Sequence, residues 1–373
     1  MLLEVFDKYM NPKGVIEMYD TLIWTRRFFS YGEFKLLVPC TDKHASLLTK
    51  DSIIMKDDDS DNEAGQIRNI RTAFNNKGEE IIEVQGKFLA RWIGKRLLLK
   101  QLVMEDTAQA ILTQIVTKTI IGPEASSRVI PDLSIAAMGD LGSAVIDYSC
   151  EAGTNALTAC EAVAKTAGLG FRIFTDPDAG LHYFEVYGGR DLTEENGVND
   201  PCIFSFELDN MFEQEYEYSN ENHRSTAYVA GENVEGQATK IAIAGDAAQG
   251  LDRDETWVNA SGIKQTYTED GQQITLTDQE YIDLLSQRGE EELAQYGEII
   301  SLLNKVKPVS NLVYKTDYDI GDIVTCENLR WEVKADVRIT EVSETYTEKG
   351  EDIDIQFGES ITTIIDKIAK AGR

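Results

Sequence analysis

Over the first hundred residues apolar side chains recur at every second position in short runs, and the runs end at Gly, Pro, Asn and Asp. A period of two marks half-buried strands. It predicts strands at Leu2 to Phe6, Ser52 to Lys56, Gln66 to Phe74 and Glu80 to Gln85. Turns are expected at Asn11, Pro12, Lys13 and Gly14, and at Asn75, Asn76, Lys77 and Gly78. The richest run is WTRRFFSYGEFKLLVP, from Trp24 to Pro39. Trp24 to Phe29 and Phe34 to Val38 read as the strands of a hairpin. Ser30, Tyr31, Gly32 and Glu33 make its corner, with Gly32 free to take positive φ. Pro39 ends the return strand because it brings no ladder donor. Ala45 to Thr49 is a short helix, and Asp57 to Glu63 is an acidic loop. Gly86 and Phe88 to Leu99 lead on through RWIGKRLLL. Many short strands at this spacing predict a small barrel or sandwich.

Near Lys100 the period changes from two to 3.6. Asp106 to Ile120 reads as a helix, with Asp106 and Gln109 at capping-box spacing. Ala108, Ile111, Leu112, Ile115 and Val116 line one face, and Gly122 and Pro123 stop it. Ala144 to Ser149 is a strand. Thr154 to Ala167 is a helix with Thr154 as cap and Gly168 at its end. Phe171 to Thr175 and Leu181 to Tyr187 form a hairpin across Asp176 to Gly180. Strands return after Cys202, at Ile203 to Leu208, Ser225 to Gly231 and Ala238 to Ala244. A helix over Asp278 to Gln295 precedes strands at Ile299 to Val306, Asp319 to Thr325, Trp331 to Val342 and Asp352 to Phe357. Pro308 breaks the first of these. Ile361 to Ala369 reads as a C-terminal helix with Ile361, Ile364, Ile365 and Ile368 on one face. The class is α+β and mostly β, with β-rich ends and a helix-containing middle.

A chain of 373 residues is long for one core and suits two or three domains. Lys and Arg total 36 against 65 Asp and Glu, a net charge of −29. That balance argues against binding nucleic acid, whose phosphates need cations, and against anionic membranes. No apolar run approaches the roughly 20 residues of a bilayer span. MLLEVFDKYMNPKG has acids where a signal peptide needs a basic start. The expectation is a soluble protein made in the cytoplasm, without a membrane anchor.

Candidate chemistry adds little. Cys40, Cys150, Cys160, Cys202 and Cys326 form no CxxC pair, and their odd number in so long a chain fits reduced, buried thiols. Neither HExxH nor GxSxG occurs. Gly245 to Gly250 has the outer glycines of a P-loop but neither its Lys nor its Ser/Thr, and reads as a turn. Asp57, Asp59 and Asp61 alternate as in a calcium loop, yet Asn62 stands where that loop needs Gly and Arg68 where it needs Glu. A solvated loop is the reading. Trp24, Trp92, Trp257 and Trp331 are scattered, which fits core or interface better than a sugar platform. No catalytic, cofactor-binding or metal-binding residue is expected.

One ordered set of motifs points further. Trp24, Gly32, Phe34 and Pro39 are followed by Gly65, Gln66 and Ile67, then by Gln85 and Gly86 with Leu89 to Arg96. Gly188, Gly189, Arg190, Asp191, Leu192 and Thr193 come next, then Tyr228, Val229, Ala230 and Gly231, then Gly250, Leu251, Asp252 and Arg253. Tyr318, Asp319, Ile320, Gly321, Asp322, Ile323 and Val324 follow, with Arg338, Ile339, Phe357 and Gly358 last. The set resembles the baseplate hub proteins of long-tailed phages and phage-tail-like bacteriocin particles. The resemblance implies two tail-tube-like β-barrels around a middle α+β domain. The corresponding divisions are 1–104, 105–200 and 201–373, the last holding helix 278–295 and the C-terminal helix. It implies a homotrimer whose six barrels match a hexameric tube above and a three-fold tip below. Tail tube or distal tail ring, tip or spike, tape measure and baseplate wedge proteins would be its partners. The expected place is the virion tail or particle, and the expected role is structural, without enzyme activity. The chain ends soon after its second β-rich region, so no separate catalytic domain is expected. A tail-associated cell-wall hydrolase and a host-surface carbohydrate-binding module are the alternatives.

Overall fold

The computed structural model describes residues 1–57, 61–142, 144–245, 247–269, 272–296, 299–306 and 311–358. The expected helix at Ile361 to Ala369, the break at Pro308, and Asp58, Asp59 and Ser60 lie outside the described residues. In chain order the structure opens with β1 (Leu3–Phe6), β2 (Pro12–Ile16), β3 (Thr21–Arg27), β4 (Glu33–Pro39), α1 (Asp42–Leu47), β5 (Ile53–Lys56), β6 (Ala64–Phe74) and β7 (Glu80–Phe88). Next come β8 (Leu102–Thr107), α2 (Ala108–Val116), β9 (Leu133–Ile135), β10 (Val145–Cys150) and α3 (Ala156–Ala167). They are followed by β11 (Gly170–Asp176), β12 (Leu181–Tyr187), β13 (Asp191–Leu192), β14 (Ile203–Ser205) and β15 (Met211–Ser219). The last third holds β16 (Thr226–Ala230), β17 (Ile241–Ala244), β18 (Glu255–Asn259), β19 (Thr266–Glu269), β20 (Gln272–Thr275) and α4 (Asp278–Leu293). It closes with β21 (Ile299–Val306), β22 (Ile323–Asn328), β23 (Val333–Thr347) and β24 (Gly350–Gly358). The class is mostly β and α+β, as the residue periodicity predicts.

Contacts divide the chain into two units, each built from separated stretches. The first unit takes residues 1–90, 170–219 and the chain from 299 onward. Its main sheet runs β15-β21-β24-β23-β3-β4-β7-β6-β5-β1-β2, so β15 and β2 are its terminal strands. Every neighbouring pair along this path whose direction is established here is antiparallel. The β3–β23 pair, with Trp24 opposite Glu344, joins the two β-rich ends of the sequence in one sheet. The first half of β23 pairs β22, which takes β13 and β14 in parallel on its other side. Side chains of even number on β3 and β4, namely Leu22, Trp24, Phe34, Leu36 and Val38, turn inward to one apolar cluster. A second cluster gathers Phe28, Phe204, Tyr318, Ile339 and Phe357.

The second unit takes residues 91–169 and 220–298. In it β8 pairs β10 antiparallel, and the apolar face of α2 packs on α3. A small sheet, β17-β16-β18, lays Ala227, Val229, Ala242 and Ala244 against Tyr281 and Leu285 of α4. Thr277 caps α4 in a capping box with Glu280. Gly289 lets the helix approach closely, since a Cβ there would sit 2.6 Å from that of Ala244.

Several local expectations are corrected. The turn expected at Asn11 to Gly14 lies earlier, where Asp7 accepts from the amides of Tyr9 and Asn11, and Pro12 and Gly14 belong to β2. The first helix starts at Asp42, because Thr41 caps it. Asp106 is not a cap; it pairs with Ile146 in the β8–β10 ladder, and Thr107 caps α2. Asn155 rather than Thr154 caps α3, while Gly168 ends it in the left-handed region as expected. Asp319 to Asp322 is a tight turn rather than the start of a strand. Strands β8, β9, β13, β15, β18, β19 and β20 have no counterpart among the expected elements.

Candidate functional site

The motif residues of the first unit gather at two places. At the first, Trp24 stacks on Phe34 with ring centroids 5.7 Å apart and lies 4.6 Å from the Phe88 ring. The Phe34 ring fills the space that side chains at Gly65 and Gly86 would need. Gly32 does not use the positive φ open to it. Glycine is needed there for space, because a Cβ would lie 2.6 Å from the Phe88 ring and overlap the Thr25 carbonyl. Pro39 ends β4 opposite Ile81 of β7.

The second place centres on Arg26, which continues the inward side of β3 and is 1% exposed. A buried guanidinium is tolerable only when its donors are taken up. Its Nε donates to Glu63 at 2.6 Å, and its Nη1 donates to Asp319 at 2.7 Å and to the Tyr314 hydroxyl at 2.9 Å. Asp61 stands 3.2 Å from Nη2. Arg172 at 3.0 Å and Lys315 at 2.8 Å also reach Asp61, and Arg172 binds Glu185 at 2.6 Å. Burial alone would lower the Arg26 pKa, but Tyr314, Glu63, Asp319 and Asp61 outweigh it and hold the group protonated. Burial alone would raise Asp61, but Arg26, Lys315 and Arg172 hold its carboxyl well below the usual range. Asp61 and Glu63 therefore depart from the solvated loop expected of this acidic run. They are buried counter-ions.

Beside this network, GGRDLT and YDIGDIV form two halves of one joint. The Arg190 amide donates to Asp322 Oδ1 at 2.7 Å, and its Nη2 donates to Asp322 Oδ2 at 2.7 Å. Asp322, 3% exposed, also accepts from the Asp319 amide at 2.9 Å. Asp191 and Leu192 run parallel to Ile323 and Val324. Asp191 accepts from both the amide and the hydroxyl of Thr193. A side chain at Gly189 would overlap the Gly321 carbonyl, and one at Gly321 would enter the Phe28 ring. Arg338 lies 5.2 Å from the centroid of that ring and donates to Gly321 O at 2.5 Å. Gly358 ends β24 at φ 72°, its carbonyl accepting from the Thr340 hydroxyl.

Of the remaining motif residues, Gly231 and Arg253 lie in the second unit. A Cβ at Gly231 would lie 2.5 Å from the Tyr281 hydroxyl, which accepts from the Glu232 amide at 2.8 Å and donates to Ile263 O at 2.7 Å. Arg253 donates to Glu255 at 2.7 Å and to the Tyr228 hydroxyl at 3.1 Å. These polar groups engage one another, an arrangement that fastens strands and turns. Among the described residues no group of three His, Cys, Asp or Glu side chains is placed to hold a metal ion. Four cysteines are buried and Cys40 is half-buried, all as free thiols. Trp24 and Trp92 are buried, whereas Trp257 and Trp331 are exposed. No helix among the described residues is long and apolar enough to cross a membrane.

Comparison with curated protein sequences finds no match. Solved structures do show the fold. A tail protein from Neisseria meningitidis MC58 superposes with a TM-score of 0.55 at 12% identity, covering 96% of each chain. The 43 kDa tail protein of prophage MuSo2 from Shewanella oneidensis gives 0.57 at 12% identity, covering 96% of this chain and 98% of that one. Prophage tail protein gp18 from Listeria monocytogenes EGD-e gives 0.54 at 11% identity, covering 100% and 98%. The family model of Siphovirus ReqiPepy6 Gp37-like proteins matches residues 2–359. The chain belongs to that phage tail protein family.

Proposed function

We propose that this protein is the structural hub of a phage tail or tail-like particle, assembled as a trimeric ring that joins the hexameric tube to the three-fold tip. The observation that carries the reading is the family match over residues 2–359. The main sheet supports it physically. Strands β15 and β2 end that sheet, and a terminal strand is a template for pairing with another chain. A closed ring uses such edges up. In this reading segments 1–104 and 201–373 supply tube-like barrels and 105–200 the middle domain. The joints at Trp24, Arg190 and Asp322 hold the strands in register for assembly. Its neighbours are the tube or distal tail ring, the tip or spike, and the tape measure and wedge proteins. A net charge of −29 gives the lumen an acidic wall that repels DNA.

The mass of the purified chain by light scattering, with negative-stain images, tests the proposal. The expected result is three times 41.7 kDa and a three-fold ring with a central channel. A chain that stays monomeric even with its tail neighbours present would overturn it.

A second reading rests on Trp257, which is 61% exposed and register partner of Tyr228 on the small sheet. An exposed indole beside the half-buried Tyr228 suits stacking on a sugar ring. Binding on a glycan array that is lost in Trp257→Ala would favour a carbohydrate-binding role.

A further inference from the structure

A cleft in the second unit holds chemistry that the hub reading does not use. Leu98 and Leu102 turn into the core at 4% and 3% exposure, while Leu97 and Leu99 stay 46% and 65% exposed. With Thr119 and Gly122 at the end of the α2 segment they border a cleft of about 300 Å³. Lys100, Lys118 and Arg128 stand around it, with Glu124 as the single carboxylate among the described lining residues. Lys100 binds that carboxylate at 2.5 Å. Arg128 is fixed by two bonds, donating from Nη2 to Leu97 O at 2.5 Å and accepting at its carbonyl from Arg96 Nε at 2.8 Å. Among the described lining residues three cations stand against one carboxylate, the reverse of the balance in a chain whose net charge is −29.

Size and charge together select the occupant. About 300 Å³ is the lower end for small-molecule sites, room for one or two aliphatic side chains rather than a cofactor. Exposed leucines gain by leaving water, at roughly 25 cal/mol per Å². Surrounding cations steer and orient an acidic partner. We propose that the cleft between Leu97–Leu102 and Lys118–Arg128 receives aliphatic side chains from a segment of a partner protein, with flanking carboxylates meeting Lys100, Lys118 and Arg128. This inference stands apart from the ring, since an interaction through the cleft needs no particular oligomer.

The test is a titration of the full chain, isotope-labelled at leucine methyl groups, with an acetylated and amidated tetrapeptide of two leucines between two aspartates. The expected result is methyl shifts centred on Leu97 and Leu99. Replacing the aspartates by asparagines, or introducing Lys118→Glu, weakens binding at least about fivefold, as loss of complementary charge at an interface rim does. Leu99→Asp, at an exposed position, removes binding while the other methyl signals stay in place. Shifts elsewhere on the molecule, no shifts, or equal affinity for the uncharged peptide would each refute the proposal. So would Leu97 and Leu99 shifts that follow protein concentration without peptide, which would assign the cleft to a second copy of this chain.

Discussion

Lys56 Nζ lies 2.6 Å from Glu344 Oε2, in a pair whose side chains are 3% and 2% exposed. The partners are 288 residues apart in sequence. Glu344 sits opposite Trp24 in the ladder, and the Lys56 ammonium is 5.6 Å from the centroid of the Trp24 ring. The Tyr346 hydroxyl donates to the same carboxylate oxygen at 2.5 Å. The pair ties β5 to β23 across the core beneath the first motif. Lys56→Met leaves a buried carboxylate without its counter-ion, at an expected cost of about 3–5 kcal/mol. Adding Glu344→Leu removes the orphaned charge, so the double variant is expected to be more stable than Lys56→Met. Denaturant unfolding of the three proteins measures this. A double variant less stable than the single one would refute the assignment.

Gly86 and Gly139 make a matched test of close packing. A Cβ at Gly86 meets the Phe34 ring and lies 2.6 Å from Gln66 O, whereas one at Gly139 meets nothing within 4 Å. Gly86→Ala is expected to cost about 1–3 kcal/mol or more, since backbone cannot step aside. Gly139→Ala is expected to stay within about 0.5 kcal/mol of the parent. Equal thermal midpoints for the two variants would contradict the packing argument.

Asp61 gives the network around Arg26 a pH dependence. Its pKa is depressed from 3.8, because three cations outweigh the cost of burial. A depressed carboxylate contributes stability that is complete above its unfolded value and lost as pH falls through the folded value. Asp61→Asn is therefore expected to cost about 3 kcal/mol at neutral pH. The gap between parent and variant should narrow as pH falls below 3.8. Urea midpoints across that range check it, and a gap independent of pH would rule it out.

Glu291 on α4 works in the opposite sense. It is 5% exposed, its Oε1 has no hydrogen-bond partner among the described residues, and Arg288 stands 3.5 Å from its other oxygen. Burial pushes its carboxyl up to about 7, with Arg288 offsetting part of the effect; Tyr148 and Cys150 of β10 face it. A raised pKa means the folded state holds the proton longer, so this contribution is complete below 4.5 and is lost as pH rises through about 7. The loss amounts to at most about 3 kcal/mol. Glu291→Gln is expected to melt above the parent at high pH and close to it at low pH. Thermal melts at both ends of that window decide the matter. A parent that gains on the variant as pH rises would reverse the sign and exclude the account.

Local signals are legible where neighbours within one turn carry them. Ile111, Leu112, Ile115 and Val116 are all buried on α2, and Gly168 takes the left-handed conformation at the end of α3. The alternation of Phe34, Leu36 and Val38 placed the inner face of β4. Two further elements show how local signal and fold can part. Thr277 and Glu280 have capping-box spacing, and Met211 to Ser219 forms β15 despite its many glutamates. The motif residues were legible one by one, but their grouping was not. Nothing near Arg190 in sequence indicates Asp322, and nothing near Asp61 indicates Arg26, Arg172 or Lys315.

The sequence by itself determined the mostly-β class, the helical faces, the turns at Gly78 and Gly180, and the family, because periodicity, caps and ordered motifs are properties of short stretches. Only the tertiary structure decided that both β-rich ends share one sheet, that the acidic run supplies buried counter-ions, and that Gly32 is needed for space rather than for positive φ. Those outcomes depend on partners tens to hundreds of residues away. Burial makes such pairs strong by removing water, and no local pattern records which distant side chain arrives.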